Sequence, residues 1–401
     1  MTILGLKYCN RCAMPDTNEG MVFDENGICQ ACFSSEQKMH INWSDRRNTL
    51  ENLLASTKKK AASNNSHYDC ILPISGGKDS TYQLHVLVNV YKLRVLAVTF
   101  SHNWYSKIGF YNLINCLEQF NVDHIQFTPS RSTVNLSAKK SLAAIGDACW
   151  HCHSGVGSFP LHIAVKFKIP LLIWGESIAE NSGRASHFDP VKKFDRDYFL
   201  KVSAKICVAD FSDNEYENRL FGMLEPPTLK ECEEADVEGI HLGDFIFWDE
   251  ERQTEFIQSE YDWIEDKVEG AYKGYKSVEC IMPGVHDFTN YLKRGFGRGT
   301  FQASMDVRQG LMTRPDALAL SEKIDQIEPK VLEYFLDITG FSKEEFYAEM
   351  KKKKMPQLDG VDLPIDNSEP PSQPVKPYLV DFINEIQKEY KNRDTRRSKK
   401  A

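Results

Sequence analysis

The chain has 401 residues, 41% hydrophobic and 26% charged, which excludes a disordered or fibrous protein and suits two or three domains. Its 57 acidic residues outnumber its 49 lysines and arginines, leaving a net charge of −8. A protein that binds nucleic acid mainly by covering phosphates would be basic, so that class is disfavoured.

The opening run Met1-Thr2-Ile3-Leu4-Gly5-Leu6 is too short for a secretory signal and passes straight into Lys7 and Cys9. The longest apolar stretch, residues 159–175, is broken by His162, Lys166, Lys168 and two prolines, and falls short of a membrane span. A cytoplasmic location is expected, where the 11 cysteines stay reduced and clustered ones bind metal rather than pair as disulfides.

Residues 1–40 hold the first cluster, Cys9-x2-Cys12 followed after 16 residues by Cys29-x2-Cys32. This is zinc-ribbon spacing, and four thiolates would close one tetrahedral Zn2+. So small a segment cannot bury a core of its own, and the ion would be its staple. With no open coordination position, the expected role is structural. Residues 41–66 read as a helix carrying Trp43, Leu50, Leu53 and Leu54, then a polar hinge from Lys58 to Ser66.

Residues 67–200 alternate between strands and helices. Short apolar runs at 69–74, 95–100, 125–127 and 171–174 read as buried parallel strands. Helical stripes between them (Leu84, Leu87, Val88, Tyr91; Phe110, Leu113, Ile114, Leu117) complete an α/β, doubly wound parallel sheet. Ligands of such sheets sit at the carboxyl ends of strands.

Directly after the first strand comes Ser75-Gly76-Gly77-Lys78-Asp79-Ser80, directly before a helix. Two glycines let the backbone approach an anion, and the helix N-terminus offers free N–H groups. Ser75 and Ser80 add hydroxyls, Lys78 adds charge, and Asp79 suits Mg2+. The Walker A spacing is absent, yet nucleotide binding is expected. A second cysteine cluster is Cys149-Trp150-His151-Cys152-His153, between the third and fourth strands. A metal site, a redox pair and plain packing all fit it, whereas Cys70, Cys116 and Cys207 sit in apolar company as core residues.

Residues 201–355 read as mainly helical, most clearly at 316–334, and supply the mixed segment His286, Asp287, Lys293, Arg294, Arg298 and Arg308. Its cations suit a sugar-nucleotide phosphate or a uronate carboxylate, or else a solvated helix face. Residues 356–401 read as a proline-marked linker and a basic tail.

The hexapeptide at 75–80 resembles the signature loop of the PP-loop ATP-pyrophosphatases, of adenine nucleotide alpha hydrolase-like fold. Together with Cys9-Asn10-Arg11-Cys12-Ala13-Met14-Pro15-Asp16-Thr17, Pro170-Leu171-Leu172-Ile173-Trp174-Gly175-Glu176, His286-Asp287-Phe288 and Arg294-Gly295-Phe296-Gly297-Arg298, it resembles the N-acetyl sugar amidotransferases of bacterial surface-polysaccharide (LPS O-antigen) biosynthesis over residues 7–350. The resemblance implies that ATP and Mg2+ activate the acetamido oxygen of a nucleotide-linked sugar, and that ammonia displaces AMP to leave an acetamidino group. It implies catalytic roles for Lys78 and Asp79, and ATP contacts from Ser75 to Ser80, Phe100, Ser101, Gly175 and Glu176. Asp79 and Glu176 are then the metal ligands, and His286, Lys293, Arg294 and Arg298 contact the sugar nucleotide.

No glutaminase nucleophile is recognisable around any cysteine, so ammonia is expected free or from a separate glutaminase subunit, as in an imidazole-glycerol-phosphate-synthase-like pair. Related tRNA-thiolating enzymes use a comparable CxxC and a later cysteine to hold an iron–sulfur cluster. By that resemblance Cys149 and Cys152 would hold a [4Fe-4S] cluster or second metal, with Cys232 or, preferred by position, Cys280 as third ligand. The rival reading is a PP-loop tRNA sulfurtransferase, disfavoured by the acidic balance. A non-enzymatic ATP-sensing zinc adaptor is the third.

Overall fold

Five strands, β1 (Cys70–Pro73), β2 (Val95–Phe100), β3 (Asp123–Phe127), β4 (Leu171–Trp174) and β5 (Glu238–His241), make one parallel sheet in the order β3-β2-β1-β4-β5. The computed structural model describes residues 3, 5–181, 185–190, 196–200, 204–368 and 388. Most of the proline-marked linker and the basic tail lie outside the described residues.

Side chains alternate across the pleat. Cys70, Leu72, Val95, Ala97, Leu171 and Ile173 enter one core with Leu50, Leu54, Leu84, Leu113 and Trp248. Ile71, Leu96, Val98, Phe100 and Leu172 enter the opposite core with Trp150, Phe159, Ala164 and Phe221. Helices therefore cover both faces, as the apolar strand runs imply. The four expected strands are all present, with shifts of one or two residues at the ends of two of them.

The connecting helices begin where short polar caps allow. Helix α1 (Gln30–Lys38) follows the second cysteine pair, and α2 (Trp43–Ser63) is capped by the Asn42 side chain. Lys58, Lys59 and Lys60 lie inside α2, not in a hinge, because lysine and the following alanines are good helix formers. Helix α3 (Lys78–Leu84) continues into a wider π-helical segment at His85–Val90. Ser106 and Ser130 cap α4 (Lys107–Phe120) and α5 (Arg131–Ile145), and α6 (Trp150–Phe167) starts at Cys149.

Three further expectations differ from the structure. The sheet takes β5 from beyond residue 200, inside the stretch read as mainly helical; Gly239 and the flanking Glu238 and His241 hide that short edge strand. The helix expected at 316–334 is two helices, Arg314–Asp325 and Val331–Thr339, because Pro329 cannot continue an α-helix hydrogen-bond ladder. Cys207 is half-buried at the start of a short turn, not in the core. Among the described residues no helix is long and apolar enough to cross a membrane.

The C-terminal helices Pro283–Arg294, Val331–Thr339 and Lys343–Lys352 pack with α5 around Val285, Phe288, Leu292, Phe335 and Phe346. The link to the sheet is a backbone clasp. Ser106 N–H donates to Glu279 O at 3.0 Å and Ile281 N–H donates to Trp104 O at 2.9 Å. Gly109 makes this approach possible, since a Cβ there would lie 2.2 Å from Glu279 Cα. Gly109→Ala is expected to destabilise the protein by about 1–3 kcal/mol, by forced separation of two backbones rather than lost contact. Urea denaturation of the variant checks this.

Candidate active site

The loop 75–80 leaves the carboxyl end of β1, and Glu176 leaves the carboxyl end of the neighbouring β4. These two strands flank the point where connections run to opposite sides of the sheet, so a crevice opens between them. Gly76 holds a left-handed φ of +83°, and a Cβ there would meet Gly109 O and Leu113 N at 2.6 Å. Only glycine fits. Trp263 Nε1–H donates to Gly76 O at 2.9 Å, and the hydroxyls of Ser80 and Thr81 donate to Gly77 O at 3.1 and 3.0 Å. The loop is thus held rigidly from below.

A cavity of about 470 Å3 lies over it. Ser75, Gly77, Lys78, Asp79, Ser80 and Glu176 form one wall, and His286, Arg294, Gly297 and Arg298 form the opposite wall. Glu250, Tyr275, Lys276 and Glu279 close the side, and Asn18 reaches in from the cysteine-rich module. The segment 286–298 is therefore a cavity wall and not a solvated helix face.

Lys78 is 5% exposed, with Nζ at 2.6 Å from Asp79 Oδ1 and 3.6 Å from Glu250 Oε1. Burial opposes its charge, but Asp79, Glu250 and Glu176 outweigh that and hold it above the ordinary lysine range. Burial likewise opposes ionisation of Glu250, yet Lys78 and Lys276 bring it down to about 2. Glu176 is not compensated in this way: burial and then the Asp79 carboxylate push it up to about 7. Burial raises Glu279 in the same way. Arg298 is oriented by Asp287 and by Ser277 Oγ at 2.5 Å, and Arg294 pairs with Glu19.

Other expected residues fall beside this cavity. Phe100 lines an adjoining one of about 350 Å3. Ser101 is buried, its Oγ accepting from Asn103 N–H at 3.3 Å. Gly175 packs against Gln83 and accepts a backbone bond from Gly243 at 2.9 Å. Lys293 points away, donating to Ile145 O at 3.1 Å, and lines a third cavity of about 340 Å3.

Cys149, Cys152 and Cys280 meet in the second cavity, next to Ser75 and Phe100. Cys232 instead packs in the core under the sheet, so position favours Cys280. Among the described residues these three thiols do not reach the mutual 4.8 Å spacing that the two tighter ligand groups show. Burial raises all three above the ordinary thiol range, Cys152 to about 12.

The first cysteine cluster is fully assembled. Sγ–Sγ separations are 3.8 Å (Cys9–Cys32), 3.7 Å (Cys12–Cys29) and 3.6 Å (Cys29–Cys32). Tetrahedral coordination at a Zn–S length of about 2.3 Å requires thiolates about 3.8 Å apart, so one ion fits without rearrangement. Backbone N–H groups of Arg11, Cys12 and Cys29 point at Cys9 Sγ, and Arg308 donates to Cys12 Sγ at 3.8 Å. These donors stabilise thiolate charge.

Sequence reasoning missed Asn18, Glu250, Tyr275, Lys276 and Glu279. Tyr275, Lys276 and Glu279 lie in the segment 265–280, which has little regular secondary structure, so no periodicity singles those three out. The run Lys273-Gly274-Tyr275-Lys276-Ser277, with cations, an aromatic and a glycine, was the available signal.

Residues 254–359 match the family model of the C-terminal domain of WbpG-like LPS biosynthesis proteins. Over these residues the chain is similar to that LPS-biosynthesis-related family. An uncharacterized protein of Methanocaldococcus jannaschii is 28% identical over 116 residues, which are 29% of this chain; the match spans 40% of that protein. Among solved structures, the chain is similar to the U34-tRNA thiolase NcsA of Methanococcus maripaludis with its [4Fe-4S] cluster (13% identity, TM-score 0.28, covering 76% of this chain and 86% of that one). It is also similar to NMN synthetase from Francisella tularensis (12% identity, TM-score 0.27, covering 49% and 92%).

Cys29→Ser is expected to remove one of the four thiolates, seen as a weakened and shifted sulfur-to-metal absorption of the cobalt-substituted protein, and to lower the melting temperature. Glu176 yields a pH prediction. Its folded value near 7 lies above the ordinary 4.5, so the folded state binds the proton more tightly and stability falls as pH rises between those values. Without magnesium, Glu176→Gln should be more stable than wild type by about 1–3 kcal/mol near pH 8, with the difference vanishing near pH 4. Urea titrations at the two pH values measure it.

Proposed function

We propose that the protein is an ATP-dependent amidotransferase of LPS O-antigen or related surface-glycan biosynthesis, converting an acetamido group of a nucleotide-linked sugar to an acetamidino group. One observation carries this reading: the loop 75–80 and the His286–Arg298 wall, contributed by the LPS-related domain, face each other across a single cavity.

An amide oxygen is a poor leaving group. In the proposed reaction it attacks the α-phosphorus of ATP and pyrophosphate departs, leaving an adenylylated imidate. Ammonia then adds to the imidate carbon and loses a proton, and AMP leaves with the original oxygen. The loop 75–80 binds the pyrophosphate portion, with Lys78 placed at the developing charge. Asp79 and Glu176 are the residues that would hold Mg2+, which would supply positive charge against the phosphates of ATP. The fit rests on a carboxylate held near 7 by burial and a like charge, which a cation would relieve. Arg294 and Arg298 hold the carrier phosphate or a uronate, each kept in place by its own carboxylate partner, Glu19 or Asp287. The buried four-cysteine group holds structural zinc and braces the Asn18 side of the cavity. Ammonia is delivered by a separate glutaminase subunit or taken free.

Incubating the protein with ATP, Mg2+, ammonium and UDP- or CMP-linked N-acetyl sugars should give AMP, pyrophosphate and a sugar that has lost one oxygen and gained NH, read by mass spectrometry. Lys78→Met should lower kcat/KM by about 100-fold or more. Failure of every such sugar, with tight and salt-sensitive binding of tRNA instead, would overturn the reading in favour of the sulfurtransferase.

A further inference from the structure

Behind the active-site wall, three side chains from three separate elements converge. Asp147 stands in the turn between α5 and α6, His153 on α6, and His286 on the Pro283–Arg294 helix. His153 Nδ1 is 2.9 Å from Asp147 Oδ2, and His286 Nδ1 is 3.8 Å from Asp147 Oδ1. One ligand atom from each lies within 4.8 Å of the others, and the two imidazole centroids are 4.9 Å apart at 77°.

The constellation is built rather than incidental. The Asp147 carboxylate is buried, with its side chain 10% exposed, and is aimed by Cys149 N–H at 2.8 Å and by the Ser141 hydroxyl on its own carbonyl at 2.7 Å. His286 Nδ1 is buried, faces Asp147 and has no hydrogen-bond partner among the described residues. Its Nε2 is approached by Asn290 Nδ2 at 3.2 Å, which fixes the ring plane. A ring nitrogen without a hydrogen bond, facing a buried carboxylate and a second imidazole, belongs to a donor set of the kind and spacing that a first-row divalent cation takes.

We propose that Asp147, His153 and His286 form a second metal site, distinct from the four-cysteine group, for a divalent first-row transition ion of the Zn2+ type with open coordination positions. Two imidazoles and one carboxylate leave such an ion at least one exchangeable position. All three ligands border the 340 Å3 cavity, where Lys205, Lys293 and Arg294 supply positive charge. His286 also borders the 470 Å3 cavity of the loop 75–80. The open position therefore suits an oxygen anion, a carboxylate or phosphate, held beside the nucleotide cavity.

The test is a metal count on the full chain with the four-cysteine site loaded. Protein titrated with Zn2+, freed of excess ion and analysed by mass spectrometry of metals should hold two equivalents per chain. His153→Ala and His286→Ala should each hold one, with unchanged far-ultraviolet circular dichroism. A double variant Cys149→Ser, Cys152→Ser should keep two. Cobalt loading adds a second readout: weak visible bands without sulfur charge transfer, lost in His286→Gln but kept in the cysteine double variant. One equivalent in the wild type overturns the proposal, as does retention of the second ion in both histidine variants. So does its loss in the cysteine variant alone, which would assign it to the neighbouring thiols.

Discussion

The arrangement rests on the clasp between the loop after β2 and the strand-like run at 278–281. Tyr105 and Cys280 pair across it as an antiparallel bridge, and Gly109 and Gly76 lie in the crowded space beneath. Neither glycine tolerates a side chain: one position would strike backbone, the other would also need a left-handed conformation. Two backbones in van der Waals contact bring Glu279, Cys280 and the following helix to the carboxyl edge of the sheet. Without that contact, the loop 75–80 would face solvent, and Lys78 would lose the low-dielectric surroundings that sharpen every charge interaction in the cavity.

The cysteine-rich module extends the same construction. Its buried cluster includes Phe296, and Phe301 and Val307 pack against it, so it sits on the Arg298–Gln309 helix as a fourth small core. Arg314 Nε donates to the carbonyls of Cys9 and Cys12 at 2.9 and 3.1 Å, and Thr17 Oγ1 donates to Arg294 O at 2.6 Å. Phe296 and Phe301 also line the active-site cavity, so the four-cysteine module packs against side chains that shape it.

The sheet was legible because parallel strands buried on both faces must be continuous apolar runs, and 95–100 and 171–174 are such runs. The loop 75–80 was legible because its chemistry is local: glycines, hydroxyls, a lysine and a carboxylate in consecutive positions. What stayed hidden is non-local. β5 is an edge strand four residues long with one glycine, too brief to carry a period. Glu250 and Lys276 owe their place in the cavity to each other and to Lys78, and nothing at either sequence position announces that pairing. His153 and His286, 133 residues apart in the chain, were visible only as members of two unrelated motifs. Lys293, expected beside Arg294 and Arg298 in substrate contact, turns the other way because neighbouring positions on a helix project at about 100° to one another.

Charge in the cavity constrains what can enter it. Lys78 is already paired with Asp79 and Glu250, Lys276 with Glu250, Arg298 with Asp287 and Arg294 with Glu19. Each of these cations is thus neutralised before any ligand arrives, while Glu176 and Glu279 add carboxyl groups that burial already disfavours in charged form. A polyphosphate entering alone would meet no net positive charge at short range. It can be accommodated in two ways: lysines exchange carboxylate partners for phosphate oxygens, or the carboxylates recruit divalent cations that carry the positive charge in with the ligand. The second requires no cation to abandon a buried partner, a step that leaves an uncompensated charge in low dielectric. The carboxylates around Lys78 therefore suit the entry of a cation together with an anion, and a site built only to attract anions would not contain them.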